Sequence, residues 1–285
     1  MDTTKDTTPA EGAEAETTPK KKEEGSFAVF LLKLIVVVLI FRTFVFATFS
    51  IPSESMLPRL MVGDYLFTAK WPYGYSQASM PFDIELWDGR VPDALPDRGD
   101  VVVFKHPVDR QDYIKRVIGL PGDTVQMRGG QLFLNGEAIP KQRIANFEVE
   151  ASPNTLCRDQ RFVELRGGTT ICSYPQFKET LPGGRSYNVL DFGADTGLNR
   201  WGVNPDETTP QIVPEGHVFV MGDNRDSSLD SRFPAEADFG VGYLPAENIV
   251  GRASFIAFST DGSASWIKPW TWFTAARGSR IGDGL

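Results

Sequence analysis

A mostly β domain behind a single N-terminal transmembrane helix is the architecture that this 285-residue sequence predicts. Three observations carry the prediction. One apolar run, from Phe27 to about Ile51, suits a helix crossing a bilayer, which takes about 20 residues. Beyond it the apolar runs are short and bounded by turn formers. The chain also carries 27 Gly and 20 Pro, a density that favours short strands over long helices. A hydrophobic content of 41% supplies a core and excludes a wholly disordered chain. The formal net charge of −8 lacks the basic face of a general nucleic-acid binder. With 2 Cys and 2 His there is little to build a zinc site from, so no metal and no cofactor are expected.

Residues 1–26 are Thr, Lys, Glu, Ala and Pro with almost nothing to bury, and read as a disordered tail. Residues 27–48 form the expected transmembrane helix, with Lys33 and Arg42 near its ends, where long side chains reach the headgroups. A cleavable signal peptide would want a short basic leader and small residues before the cut. This leader is long and mixed in charge, and Ala47-Thr48-Phe49 is too bulky. The triplet Lys20-Lys21-Lys22 keeps the tail cytoplasmic and places the chain beyond Ile51 across the membrane. Strands are expected at Asp100–Phe104, Tyr113–Ile118, His217–Met221 and Arg252–Phe258, with a turn at Leu120-Pro121-Gly122-Asp123. Asn135-Gly136 marks the tip of a hairpin. The stretch 72–97 lacks a clean period and reads as a loop or β-ribbon extension. Residues from about 140 to 212 are more polar and turn-rich, as an inserted cap would be.

The chemistry-bearing candidates start from an absence. His106 and His217 both sit at ordinary strand-end positions, so a hydrolase here would take its base from elsewhere. Ser53 and Ser55, two apart between Pro52 and Pro58, can aim both hydroxyls at one point; taken alone the segment reads more simply as a solvated turn. Lys115 shares a strand face with Tyr113 and Val117. On a buried face its pKa of about 10.4 would fall toward that of a general base, able to deprotonate a serine. On an exposed face it is an ordinary lysine. The loop Gly222–Arg232 alternates acid and base directly after a buried strand, a network that cross-links a turn or holds catalytic groups.

Together these segments resemble the bacterial type I signal peptidases, the Ser-Lys leader peptidases. The matching pieces are Pro52–Pro58, Arg98–Lys105, Asp112–Asp123 and Gly222–Arg232, with Gly251-Arg252-Ala253 and Ser279–Gly282 also similar. The family's usual Thr after the motif proline is Arg59 here. The resemblance implies a coiled β-sheet catalytic core at 49–123 and 213–285, with a second β domain inserted at 124–212. It implies Ser55 as nucleophile, Lys115 as general base and Ser228 orienting the lysine amine. The oxyanion would lie between the Ser55 N–H and the Ser53 hydroxyl. Asp230 and Arg232 would pair to brace the loop. Phe49, Ile51, Met56, Leu60, Tyr113 and Ile114 would form a groove that admits alanine, as Ala-x-Ala sites require. Expected partners are the signal peptides of secretory preproteins and the phospholipid bilayer, with no nucleic acid. The expected location is the bacterial inner membrane, single-pass, with the catalytic domain on the periplasmic or outer side. The rival readings are a self-cleaving Ser-Lys repressor-type protease, which the transmembrane segment disfavours, and a catalytically inactive membrane-tethered β domain that binds exported proteins.

Two features remain. Cys157 and Cys172 flank Arg166-Gly167-Gly168, a plausible hairpin turn, and an oxidising compartment would let them pair; two unpaired thiols is the alternative. Trp266, Trp270, Trp272 and Phe273 cluster near the C-terminus, either as core or as a surface resting in the headgroup region.

Overall fold

The computed structural model describes Met1 and residues 22–80, 84, 89–193, 204–265 and 267–285. The expected tail, apart from Met1 and its last few residues, lies outside the described residues, as do parts of the 72–97 extension, 194–203 and Trp266. The chain forms two compact units, Met1–Phe41 and Arg42–Leu285.

The helix α1 (Lys22–Phe44) contains the apolar span Phe27–Phe44. Its side chains from Phe27 to Phe41 are exposed and, apart from Lys33, apolar on every face, as suits lipid rather than a protein core. At 1.5 Å per residue the span rises about 27 Å, close to the hydrocarbon thickness of a bilayer. The helix ends at Phe44, short of the expected boundary at 48. The reason is tertiary: Phe46–Ser50 is β1, paired along its whole length with β2 (Asp64–Ala69), and Ala47 is buried.

From there the chain is mostly β. β3 (Val101–Lys105) and β4 (Asp112–Gly119) fall where the sequence predicts strands. The segment 124–212 then contributes β5 (Thr124–Arg128), β6 (Gln131–Leu134), β7 (Glu137–Ala138), β8 (Lys141–Glu150), β9 (Val163–Arg166), β10 (Thr169–Thr180), β11 (Ser186–Leu190) and β12 (Gln211–Ile212). The chain returns through β13 (His217–Met221), β14 (Leu244–Pro245) and β15 (Ile249–Ser259), and α2 (Thr271–Thr274) comes after. The main sheet has seven antiparallel strands in the order β1-β2-β15-β3-β4-β13-β14. Valines 101 and 103 face one core cluster with Met56, Leu60 and Leu66, while Val102 and Phe104 face another with Val117 and Val220. That is the period of two expected of a strand buried on both faces.

The segment 124–212 builds two further four-stranded sheets, β12-β5-β6-β7 and one containing β11-β10-β8 with β9 beside β10. They share a core with the main sheet, where Val125, Leu132 and Val189 pack with Ile118 and Phe219. Asn135 and Gly136 take φ of 54° and 83°, the left-handed pair that a two-residue hairpin between β6 and β7 requires. The long strand β8 holds no fully buried side chain, and only its second half, Phe147 to Glu150, alternates apolar with charged residues. Within 72–97 the described residues form single turns and one bridge, Tyr75–Val91, rather than a ribbon.

Cys157 and Cys172 are joined, with Cα atoms 5.2 Å apart. The arrangement differs from a bridge between facing hairpin strands. Gly167-Gly168 does connect β9 to β10, but Cys172 faces Val163 across that pair, and Cys157 reaches it from the preceding loop.

Candidate active site

Three segments converge on one cleft. The loop after β1 carries Ser53 and Ser55, β4 carries Lys115, and the loop after β13 carries residues 222–232. Asn224 ties the first to the third: its N–H donates to the Ser55 carbonyl at 3.0 Å and its side-chain amide to the Glu54 carbonyl at 3.1 Å. Gly222 makes the close approach possible, since a Cβ there would collide with Ser228 Oγ and the Ser55 carbonyl.

Lys115 Nζ donates to Ser55 Oγ at 2.8 Å. Both residues are buried, Lys115 to 4% exposure and Ser55 to 6%. Burial lowers the Lys115 ammonium from its ordinary value to about 8; Asp230 and Asp223 oppose that shift and Arg232 adds to it. Each of the two carboxylates has its own arginine. Arg232 Nε meets Asp230 at 2.9 Å and Arg116 donates to both oxygens of Asp223, through Nε at 2.7 Å and Nη2 at 2.6 Å. Asp230 would be pushed up by burial, but Arg232 and the Gly222 N–H hold its carboxyl below the usual range. Lys115 therefore sees two neutralised pairs rather than a free counter-ion, and desolvation wins.

Ser53 Oγ lies 3.3 Å from Ser55 Oγ and is exposed to the cleft. The Ser55 N–H donates to no protein acceptor among the described residues. Ser228 is buried beside this group, yet its Oγ makes no hydrogen bond of normal geometry and none to Lys115 among the described residues. The expected orienting bond is thus absent. The lysine amine is turned to Ser55, while the Ser228 hydroxyl sits against Gly222 and near Asp230.

The cleft holds about 320 Å³, and its lining includes Phe49, Ile51, Tyr113 and Ile114 together with Ser53, Ser55 and Lys115. Met56 and Leu60, expected in the groove, do not line it. Both are fully buried and pack beneath Ile51 with Val101 and Val103, so they support the wall from behind. Residues 112–115 of β4 pair with β3 on one side only, because β13 pairs β4 no further than Arg116. An open strand edge therefore borders the cleft. Both histidines are engaged elsewhere: His106 Nε2 contacts the Gly240 carbonyl at 3.0 Å, and His217 Nδ1 the Glu215 carbonyl at 2.9 Å.

A brace from the inserted segment completes the site. Arg225, fully buried, donates to both oxygens of Glu179 on β10 at 2.8 and 2.6 Å, and Tyr187 OH donates to the same carboxylate at 3.0 Å. Sequence reasoning singled out the 222–232 loop but missed Glu179, whose strand carries no motif.

Residues 25–258 match the family described as "Signal peptidase, peptidase S26". The chain belongs to that family. A signal peptidase I of Rickettsia rickettsii (strain Sheila Smith) is 36% identical over 246 residues, which cover 84% of this chain and 80% of the relative. A signal peptidase I of Rickettsia prowazekii (strain Madrid E) is 34% identical over 93% of this chain and 94% of its own length. Among solved structures, a signal peptidase I from Enterococcus faecalis V583 is similar at 25% identity with a TM-score of 0.28, covering 56% of this chain and 98% of that one. This signal peptidase family member is thus a peptidase, and its apolar helix α1 fits a membrane anchor.

Proposed function

We propose that the protein is a membrane-anchored serine endopeptidase that removes N-terminal signal peptides from exported preproteins, using Ser55 as nucleophile and Lys115 as base. The observation that carries the reading is the 2.8 Å contact between a buried lysine amine and a serine hydroxyl, with neither histidine engaged there. In its neutral form the Lys115 amine takes the Ser55 Oγ proton as Oγ attacks the scissile carbonyl. Charge develops on the carbonyl oxygen, for which the Ser55 N–H and the Ser53 hydroxyl are the nearest donors. Lys115 then gives the proton to the departing amine, leaving an acyl ester on Ser55. A water, deprotonated by the same amine, hydrolyses the ester and restores the hydroxyl.

Substrate selection arises from the cleft. The walls of the cleft are largely apolar, which supports a preference for small apolar side chains such as those of an Ala-x-Ala site. An extended substrate adds as a strand to the open edge at 112–115, so backbone bonds supply affinity while shallow pockets supply choice. Ser228 and the Asp230–Arg232 pair act through Lys115, one by packing beside it and the other by cancelling the charge that would protonate it. The lysine triplet before the span and the disulfide at Cys157–Cys172 support a single pass with the β domain on the oxidising side of the bacterial inner membrane. Purified full chain with a preprotein tests the reading. Cleavage at the signal-peptide junction is expected from wild type and none from Ser55→Ala; cleavage by a folded Ser55→Ala protein overturns it.

A further inference from the structure

A second cavity, of about 520 Å³, adjoins the cleft and shares Phe49, Ser50, Pro52 and Asp112 with it. Its lining carries three cations, Arg42, Lys70 and Lys105, against the single carboxylate of Asp112, in a chain whose net charge is −8. Lys105 meets Asp112 at 3.0 Å, which leaves Arg42 and Lys70 to account for. Lys70 is 5% exposed, and its ammonium donates to one backbone carbonyl, that of Ser79 at 2.6 Å, with no carboxylate partner among the described residues. Burial, and then the like charge of Arg42, lower it to about 8. With Asp112 held by Lys105, Arg42 and Lys70 leave the lining with excess positive charge, and for the buried Lys70 ammonium that is costly unless something negative lies near it.

We propose that this cavity binds the phosphodiester of a phospholipid headgroup, held between Arg42 and Lys70. Three features of the molecule favour that occupant over a soluble anion. Arg42 stands in the last turn of α1, within the final residues of the apolar span, so the same side chain that lines the cavity marks the headgroup level. A tetrahedral phosphodiester accepts from a guanidinium and an ammonium together, as charge-assisted bonds. The walls supplied by Phe49, Pro52 and Met80 suit the glycerol and first methylenes of a lipid better than bare phosphate. A headgroup seated there lies beside the substrate cleft and holds the cleft to the bilayer surface from which a signal peptide emerges.

Native mass spectrometry of the full chain released from detergent micelles, titrated with phosphatidylglycerol, tests the proposal independently of peptidase activity. Wild type retains one lipid per chain. Lys70→Met and Arg42→Gln each weaken retention at least about tenfold, about 1.4 kcal/mol, and Lys70→Arg preserves it. Inorganic phosphate at the same concentration does not displace the lipid. Arg42 is exposed, so Arg42→Gln reports even if Lys70→Met fails to fold. Retention unchanged in Arg42→Gln overturns the proposal, and so does inorganic phosphate binding as tightly as the lipid.

Discussion

Replacing Lys115 with methionine removes a buried cation while keeping a long unbranched stem, and its effect on stability has a computable pH dependence. In the unfolded chain the lysine titrates at its ordinary 10.5, and in the folded protein at about 8. Below pH 8 both states hold the proton, and the folded state bears the whole cost of desolvation. At about 1.36 kcal/mol per unit the difference amounts to about 3 kcal/mol. Between pH 8 and 10.5 only the unfolded chain binds the proton, so wild-type stability rises with pH; above 10.5 both states are neutral and the penalty is gone. Lys115→Met is free of this dependence. The expected result is a stability advantage of the variant over wild type that is larger at pH 7 than at pH 11 by about 3 kcal/mol. Guanidinium unfolding of both full chains in one detergent, at several pH values, measures it, because all other titrating groups cancel in the difference. A gap between the two proteins that does not change with pH would refute the argument that Lys115 is a desolvated amine without a free counter-ion. The same variant should cleave nothing, having gained stability by losing its base.

The wild-type pH profile of kcat/KM should rise with an apparent midpoint near 8, since at pH 7 about one lysine in ten is neutral there, against about one in 3,000 at the ordinary value. Lys115→Arg should be inactive at every pH, because guanidinium keeps its proton. Glu179→Ala leaves Arg225 buried without its partner and should destabilise by about 3–5 kcal/mol, read by chemical unfolding, with activity falling as the 222–232 loop loosens. Cys157→Ser opens a loop of 15 residues and should cost about 3 kcal/mol of stability while leaving kcat on a soluble peptide unchanged. Trp270 and Phe273 are exposed, at 65% and 85%. Replacing both with alanine should reduce vesicle-dependent changes in tryptophan fluorescence, and slow cleavage of membrane-inserted preprotein more than cleavage of a soluble peptide.

The sequence by itself determined the elements whose reasons are local. The apolar span needs only its length and composition, and β3, β4 and β13 show as apolar runs between turn formers because both their faces are largely buried, as is the first part of β15. Asn135-Gly136 names its own turn, since few other residues accept two left-handed positions in succession. The motifs around Ser53, Ser55, Lys115 and residues 222–232 were visible as residue types, but nothing local says whether a lysine is buried. That was decided by tertiary structure: the 222–232 loop brings Asp223 and Asp230 close to Lys115, and Arg116 of β4 and Arg232 of the loop cancel them. Tertiary structure also moved Met56 and Leu60 from the groove into the core behind it, and ended α1 at Phe44 because β2 was there to pair with Phe46–Ser50. The strands β8 and β10 escaped sequence reading for a related reason. Their apolar residues, Phe147 and Val149 on β8 and Cys172 and Tyr174 on β10, are few and set among polar ones; they meet in one cluster only because the two strands pair, and pairing between distant segments leaves little local period to read.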